Sequence, residues 1–320
     1  MQLAICTDVF ADLSYTEMLD KVKALGIDAV EMTAGGWGAR KHCDTAKLLA
    51  DPAKLEAFKG ELEKRGMRIA ALNTSCNPLW PSETGEEYKR SMYACVDLAE
   101  KLGVDTITCF SGCPGDCEAS RYPNWVTCAW PDDNLDILKY QWDKVLIPYW
   151  KNFVQAAKDC GVNKIALELH PGFSVYNVDT LKRLREAVGP EIGVNFDPSH
   201  LLWQGMEPVA VIRAFAGMIY HVHAKDVCID RYNTALNGVL DTKHYSDEAH
   251  RSWIFRTVGY GNDAKYWKDI FSELRKTGYD GTISIEHEDS LINRLEGLQH
   301  AVDMVKSCAI FAETSGMWWA

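Results

Sequence analysis

Short apolar runs and longer amphipathic stretches alternate along the chain, and most of the amphipathic stretches stop at a glycine. Leu3–Thr7 precedes a helix-like segment over Tyr15–Leu25 that ends at Gly26. Ala29–Met32 is followed by Pro52–Arg65 and Gly66, Arg68–Leu72 by Glu86–Leu102 and Gly103, and Thr106–Phe110 by Leu138–Cys160 and Gly161. Lys164–Leu169 leads to Val178–Val188, and Ile192–Phe196 leads to Pro208–Ala216. Met218–Val222, Ala264–Lys276, Thr282–Ile285 and Leu291–Ala312 complete the series. Glycine takes the left-handed conformation cheaply, so a glycine just past an amphipathic stretch marks a helix end. About eight strand–helix units predict a closed (β/α)8 barrel of the TIM type. An open doubly wound sheet normally has fewer strands and often a glycine-rich phosphate turn, and no such turn is found. No linker or low-complexity tract divides the chain, so residues 1–320 are expected to form a single barrel domain.

Two connections are too long for plain turns: Gly112–Asp136 after the fourth strand and Val227–Asp263 after the seventh. In a barrel both loop insertions lie over the C-terminal face, where active sites are built. Their aromatic content (Trp125, Trp130, Tyr232, Trp253, Phe255) argues against disorder.

Composition narrows the function classes. With 47% hydrophobic residues over 320, the chain can bury a large core. A net charge of -11 disfavours nucleic acid as the partner. No apolar run reaches the roughly 20 residues that span a bilayer. The opening MQLAICTDVF has no basic n-region and reads as a first strand, so a cytoplasmic location is expected. Eleven scattered cysteines do not resemble a disulfide framework. A zinc knot among Cys109, Cys113, Cys117 and Cys128 lacks the CxxC spacing, and reduced thiols are the expectation.

The chemistry gathers at strand ends. KIALELH carries Glu168 near the end of its run, IGVNFDPSH delivers Asp197 and His200, MIYHVHAKD delivers His223, Lys225 and Asp226, and TISIEHE ends in Glu286. Glu168, Asp197, His223 and Glu286 thus stand at the tips of four successive strands, which converge in a barrel. Three carboxylates and one imidazole suit a divalent ion such as Mn²⁺ or Mg²⁺, with Co²⁺ or Zn²⁺ as other candidates. In HVH, His223 is taken to enter the barrel mouth on the face of Lys225. His221 is taken to lie on the opposite side of the strand, packed outward or bonded to a neighbouring unit. The C-terminal Trp318 and Trp319 are expected to be buried against this chain or a partner in an oligomer.

ELH, NFDPSH, HVHAKD and SIEHE, in this order, resemble the sugar phosphate isomerase/epimerase family of xylose isomerase-like TIM barrels, and the likeness covers essentially the whole chain. The resemblance implies one divalent cation, Mn²⁺ preferred, held by Glu168, Asp197, His223 and Glu286. It also implies a substrate contact at His200, a substrate-binding lysine at Lys225, and proton exchange by Glu168 and Glu286. Within the family, the two long loops resemble those of the C-glycoside deglycosidase α subunits, which implies a small β subunit as partner. The reaction expected on this basis is metal-assisted enolisation of a sugar carbonyl. The best reading is a lyase that cleaves a 3-oxo-C-glycoside to aglycone and an unsaturated keto sugar. His170 and His200 are its candidate proton-transfer groups, and Trp125 or Trp253 its aglycone wall. The alternatives are an aldose–ketose isomerase or ketose 3-epimerase acting on a free sugar, and a binding subunit that has lost its reaction. An endonuclease is disfavoured by the acidic balance.

Overall fold

The computed structural model describes residues 1–319. Its elements in order are β1 (Gln2–Cys6), α1 (Tyr15–Ala24), β2 (Ala29–Thr33), α2 (Thr45–Ala50), α3 (Pro52–Glu63), β3 (Arg68–Asn73), α4 (Glu83–Leu102) and β4 (Thr106–Cys109). Next come α5 (Asp133–Tyr140), α6 (Ile147–Asp159), β5 (Lys164–Glu168), α7 (Val178–Val188), β6 (Ile192–Phe196), α8 (Pro198–Trp203), α9 (Pro208–Ala214) and β7 (Ile219–Ala224). The chain ends with β8 (Asp226–Ile229), α10 (Arg231–Asn237), β9 (Trp253–Arg256), α11 (Ala264–Lys276), β10 (Thr282–Ile285) and α12 (Arg294–Cys308). Strands β1, β2, β3, β4, β5, β6, β7 and β10 pair in parallel and close into a barrel when β1 joins β10. The fold is a (β/α)8 TIM barrel, as the alternating pattern predicts.

Strand parity decides what faces where. Side chains alternate across a strand, so every second residue enters the barrel and the others pack outward on the helices. The outward set is apolar: Ile5, Val30, Met32, Leu72, Ile107, Ile165, Leu167, Val194, Phe196, Val222, Ile283 and Ile285 join one core with the inner faces of the helices. The inward set is small at the base, where Ala4, Ala29 and Ala70 meet, and polar above it. Cys6, Glu31, Asn73, Thr108, Glu168, Asn195, His221, His223 and Ser284 contact one another there. Such a layer belongs to the end where chemistry is done, because buried polar groups need partners that a plain packed core lacks.

Three expectations change. The segment predicted as one helix from Leu138 begins earlier, at Asp133, and carries a π-helical stretch over Gln141–Leu146 before α6. The connection after β7 is not irregular throughout: β8 and β9 pair as an antiparallel hairpin, Asp226 against Arg256 and Ile229 against Trp253. Trp318 and Trp319 pack edge to face on each other at 5.8 Å but remain 80% and 68% exposed, so this chain does not bury them. The cysteines are all free thiols. Among the described residues, none of Cys109, Cys113, Cys117 and Cys128 belongs to a group of donors close enough to share an ion. Nor is any described helix long and apolar enough to cross a membrane.

Candidate metal centre

Glu168, Asp197, His223 and Glu286 each offer one ligand atom, and these atoms lie within 4.8 Å of one another. The local sequence explains each placement. Glu168 is the last residue of β5 on its inward parity, and Glu286 follows β10 in the same way. Asp197 caps α8: its Oδ1 accepts from the backbone N–H of Ser199 at 2.8 Å, with Pro198 in the first turn where no N–H is needed. That leaves Asp197 Oδ2 pointing inward, buried and without a hydrogen-bond partner. His223 Nδ1 lies 3.2 Å from Glu168 Oε2 and 3.2 Å from Glu286 Oε2.

The electrostatics of the cluster ask for positive charge. Burial pushes the Asp197 carboxyl up to about 6, partly offset by His200 and Lys225. Burial also acts against ionised Glu168, yet His200 and His223 hold it well below the usual carboxylate range. Glu286 is likewise held down at about 2, where Lys225 and His223 outweigh burial. Burial opposes a charged His223, but Glu31, Cys6 and Glu286 carry it well above the ordinary imidazole range. The protein alone therefore balances its carboxylates with an imidazolium on His223. An unpartnered Asp197 oxygen and two carboxylates aimed at one imidazole nitrogen fit a divalent cation, as does the donor set of carboxylate oxygens and one imidazole.

Lys225 is buried beside this cluster. Its ammonium lies 3.0 Å from Glu286 and 2.7 Å from Glu288, and sits 4.3 Å from the centre of the Phe255 ring. His200 Nε2 lies 3.0 Å from Glu168 Oε1 and 3.6 Å from Asp197 Oδ2. His170 packs against His200 with ring centres 4.2 Å apart and planes tilted by 52°. Its Nδ1 meets the Pro171 carbonyl at 2.6 Å, and since a carbonyl only accepts, that nitrogen holds the proton and Nε2 is bare. Burial and the neighbouring His200 push the His170 pKa down to about 3.

Above the cluster lies a cavity of about 440 Å³ lined by Glu168, His170, Lys225, Glu286 and Glu288 on its polar side and by Phe110, Tyr245, Ile254 and Phe255 on its apolar side. The two tryptophans expected to wall it do not reach it. Trp253 is buried by stacking on Trp203 at 4.6 Å, with its indole N–H donated to the Val239 carbonyl. Trp125 packs edge-on against Tyr176. Position along the hairpin explains the exchange: Phe255 pairs with Val227, two residues from Lys225, whereas Trp253 pairs with Ile229 further along, and only Phe255 stands over Lys225.

His221 is a second correction. Residues two apart on a strand share a face, so His221 and His223 both enter the barrel, and both Nε2 atoms meet Glu31, at 2.8 and 3.0 Å. Asp226, of opposite parity, turns away from the cluster and binds the backbone of the returning loop. Sequence reasoning passed over Glu31, Asn195 and Cys6. The available signal was a carboxylate, an amide and a thiol at inward parity in strands that are otherwise apolar.

Comparison with known proteins agrees with this geometry. Residues 19–308 match the family described as xylose isomerase-like TIM barrel. Uncharacterized protein YfiH of Bacillus subtilis is 44% identical over 308 residues, covering 96% of this chain and 98% of its own. The inosose dehydratase of Geobacillus thermodenitrificans is 28% identical, with 74% of each chain covered. Among solved structures, the IOLI protein with a bound zinc atom superposes with a TM-score of 0.66 over 96% of this chain and 99% of its own, at 19% identity, a likeness of fold. The barrel, its tip residues and the family match over most of its length lead to one conclusion: the chain belongs to the xylose isomerase-like TIM barrel family.

Proposed function

We propose that this enzyme holds one divalent cation with Glu168, Asp197, His223 and Glu286 and enolises a keto sugar or keto polyol, expelling a substituent β to the carbonyl. The observation that carries the reading is the convergence of those donor atoms within 4.8 Å at the floor of a cavity lined by further proton-transfer groups. Bound there, the cation supplies polarisation of a carbonyl and charge stabilisation of the enediolate. Lys225 donates to a substrate oxygen and is kept charged by Glu286 and Glu288, which outweigh the burial that would discharge it. His170 presents a bare Nε2 and stays neutral at pH 7, so it serves as a hydrogen-bond acceptor for a substrate hydroxyl and not as an acid. Glu168 and His200, 3.0 Å apart, form a pair through which a proton removed from carbon passes towards the departing group.

The narrower reading is cleavage of a 3-oxo-C-glycoside. The proton leaves C2, the enolate pair forms the C1–C2 double bond as the C1–aryl bond breaks, and the aryl carbon takes a proton from the His200 side. The apolar half of the cavity, Phe110, Tyr245, Ile254 and Phe255, supports a substrate with an aromatic part beside its polyol. Inosose, named for a relative, offers the same elimination with hydroxide as leaving group. Epimerisation or isomerisation of a free ketose is the second reading. It is favoured by Glu168 and Glu286, two carboxylates from different strands that both line the cavity and could each exchange a proton with a bound ketose.

The Mn²⁺-loaded protein is to be incubated with a 3-oxo-C-glucoside, with inosose and with a panel of ketoses in D₂O, with and without a co-expressed small β-type subunit. Aglycone release or dehydration, abolished by chelator, is expected. Deuterium entering ketoses without elimination selects the second reading, and no exchange or release from any substrate overturns both. Because burial lifts Asp197 to about 6, protons compete with the cation as pH falls through that value, and cation affinity is expected to drop there.

A further inference from the structure

We propose that Glu31 is the positioning residue of the metal centre and fixes which nitrogen of His223 faces the cation; the inference rests on the metal-binding reading above. Glu31 sits in the middle of β2, enters the barrel one layer below the ligands and is 1% exposed. Its carboxylate meets His221 Nε2 at 2.8 Å and His223 Nε2 at 3.0 and 3.1 Å. The Thr108 hydroxyl donates to it at 2.7 Å, the Asn73 amide at 3.2 Å and the Cys6 thiol at 3.4 Å.

These donors arrive from four other strands, and together they fill the roughly four lone-pair directions of a carboxylate. Glu31 is thus held against rotation and can only accept, so His223 keeps its proton on Nε2. Asn195 approaches the same nitrogen at 3.1 Å, but its amide has a carboxylate to serve, Glu168 Oε2, at 3.2 Å. With Nε2 committed, the lone pair available for a cation is on Nδ1, the atom that faces Glu168 and Glu286. A carboxylate behind a ligating imidazole fixes ring tautomer and orientation and raises the basicity of the ligand nitrogen.

Cys6, Glu31 and His223 also lie close enough to hold an ion themselves. Two facts disfavour that site. The lone pairs of Glu31 are already occupied, and His223 Nε2 would have to give up its proton while Nδ1 ligates the first cation.

The test is Glu31→Gln, which keeps the volume and removes the charge, with Glu31→Asp as the conservative variant. Mn²⁺ and Zn²⁺ titrations are run on folded protein, alongside nitrogen-detected NMR of the wild type loaded with Zn²⁺. One ion per chain is expected in every protein, with affinity 10–100-fold weaker in Glu31→Gln and partly restored in Glu31→Asp. The wild-type spectrum should show the His223 proton on Nε2. A purely structural Glu31 would lower the melting temperature and leave the affinity of the folded protein unchanged, and that result overturns the proposal. So does a proton on Nδ1 in the loaded wild type, which needs no variant to fold. Two ions per chain in the wild type with one lost in Glu31→Gln would make Glu31 a ligand and overturn it as well. A wild type that binds no cation at all sinks the metal reading itself.

Discussion

The two long connections over the barrel mouth are both rich in aromatic residues, yet one becomes a wall of the cavity and the other does not. After β4 the chain is tied to the loop that follows β3 and to the π-helical stretch before α6. Asn77 exchanges hydrogen bonds with the Cys113 backbone at 2.9 and 3.0 Å, and the Gln141 amide donates to the carbonyls of Pro114, Gly115 and Asn124. Trp130 and Tyr122 are left 78% and 72% exposed, and only Phe110, just ahead of the loop, reaches the cavity. After β7 the chain is tied to the barrel itself. Asp226, three residues beyond His223, accepts from the backbone N–H groups of Gly259, Gly261 and Asn262 at 2.9–3.1 Å. Asp289, beyond β10, accepts from Thr257 and Arg256. A loop returning to an anchor at the strand end has to cross the mouth, so it carries Tyr245, Ile254 and Phe255 over the cavity. Loop length and aromatic content mark both segments alike; the position of the anchor separates them.

Removing that anchor is the strongest way to break the comparison. In Asp226→Ala the three backbone donors lose their acceptor in a site that a side chain cannot refill. A Cβ on Gly261 would lie 2.5 Å from the Val227 carbonyl oxygen, and Gly259 has a φ of +95°, so this turn tolerates little else. Stranded buried donors cost about 1–3 kcal/mol each, and a destabilisation of about 3 kcal/mol is expected by denaturant unfolding. A wall displaced by about 1 Å lowers kcat/KM roughly a hundredfold on whichever keto substrate proves active. Hydrogen exchange should quicken over residues 253–263 and not over 112–132. Equal quickening in both loops would show that they are not independently anchored.

A sharper and smaller effect comes from the aromatic residues. Phe255→Ala removes a ring face from the Lys225 ammonium, a contact worth about 1–2 kcal/mol when desolvated, and should lower kcat/KM about tenfold. Trp125→Ala deletes a larger ring from the other loop and should leave kcat/KM within about twofold while costing packing energy against Tyr176. If the two variants lose activity equally, the assignment of walls is wrong.

The barrel, its strand order and the four convergent donors were legible in the sequence because each is a local matter. A strand-terminal Glu or Asp after an apolar run points where parity sends it, and the glycines after the helices set the repeat. Parity in fact places His221 beside His223, against the expectation that it lies on the opposite side, and applied to β2 and β6 it turns Glu31 and Asn195 inward too. The hairpin was harder. Cys228 pairs with Ile254 across about two dozen intervening residues, and nothing in VCID or WIFR alone states that partner. The exchange of Trp253 for Phe255 follows from that pairing, so it was hidden for the same reason. For Trp318 and Trp319 size alone argues for burial, but among the described residues none covers them and both stay exposed.

The smallest predicted effect separates the loops by acid. Asp241, inside the β7 connection, accepts from the N–H groups of Lys243 and Ser252 at 2.9 and 2.6 Å. Burial acts to raise its pKa, but those donors and the Lys243 ammonium bring it down to about 2. A carboxyl lower in the folded state than its free value of about 3.9 stabilises the fold above pH 4, and that stability is lost as pH falls from about 4 to about 2. Asp226 has the opposite sign: burial raises it, so the folded state takes up its proton first and that titration removes no stability in this window. The amide anchors of the β4 connection, Asn77 and Gln141, do not titrate at all. Protection of the Ser252 N–H should therefore weaken, by less than about tenfold, between pH 4 and pH 2, while that of the Cys113 N–H, held by Asn77, stays level after correction for intrinsic exchange. Parallel loss at both positions would mean that acid loosens the whole barrel, and the anchor chemistry would then not distinguish the two loops.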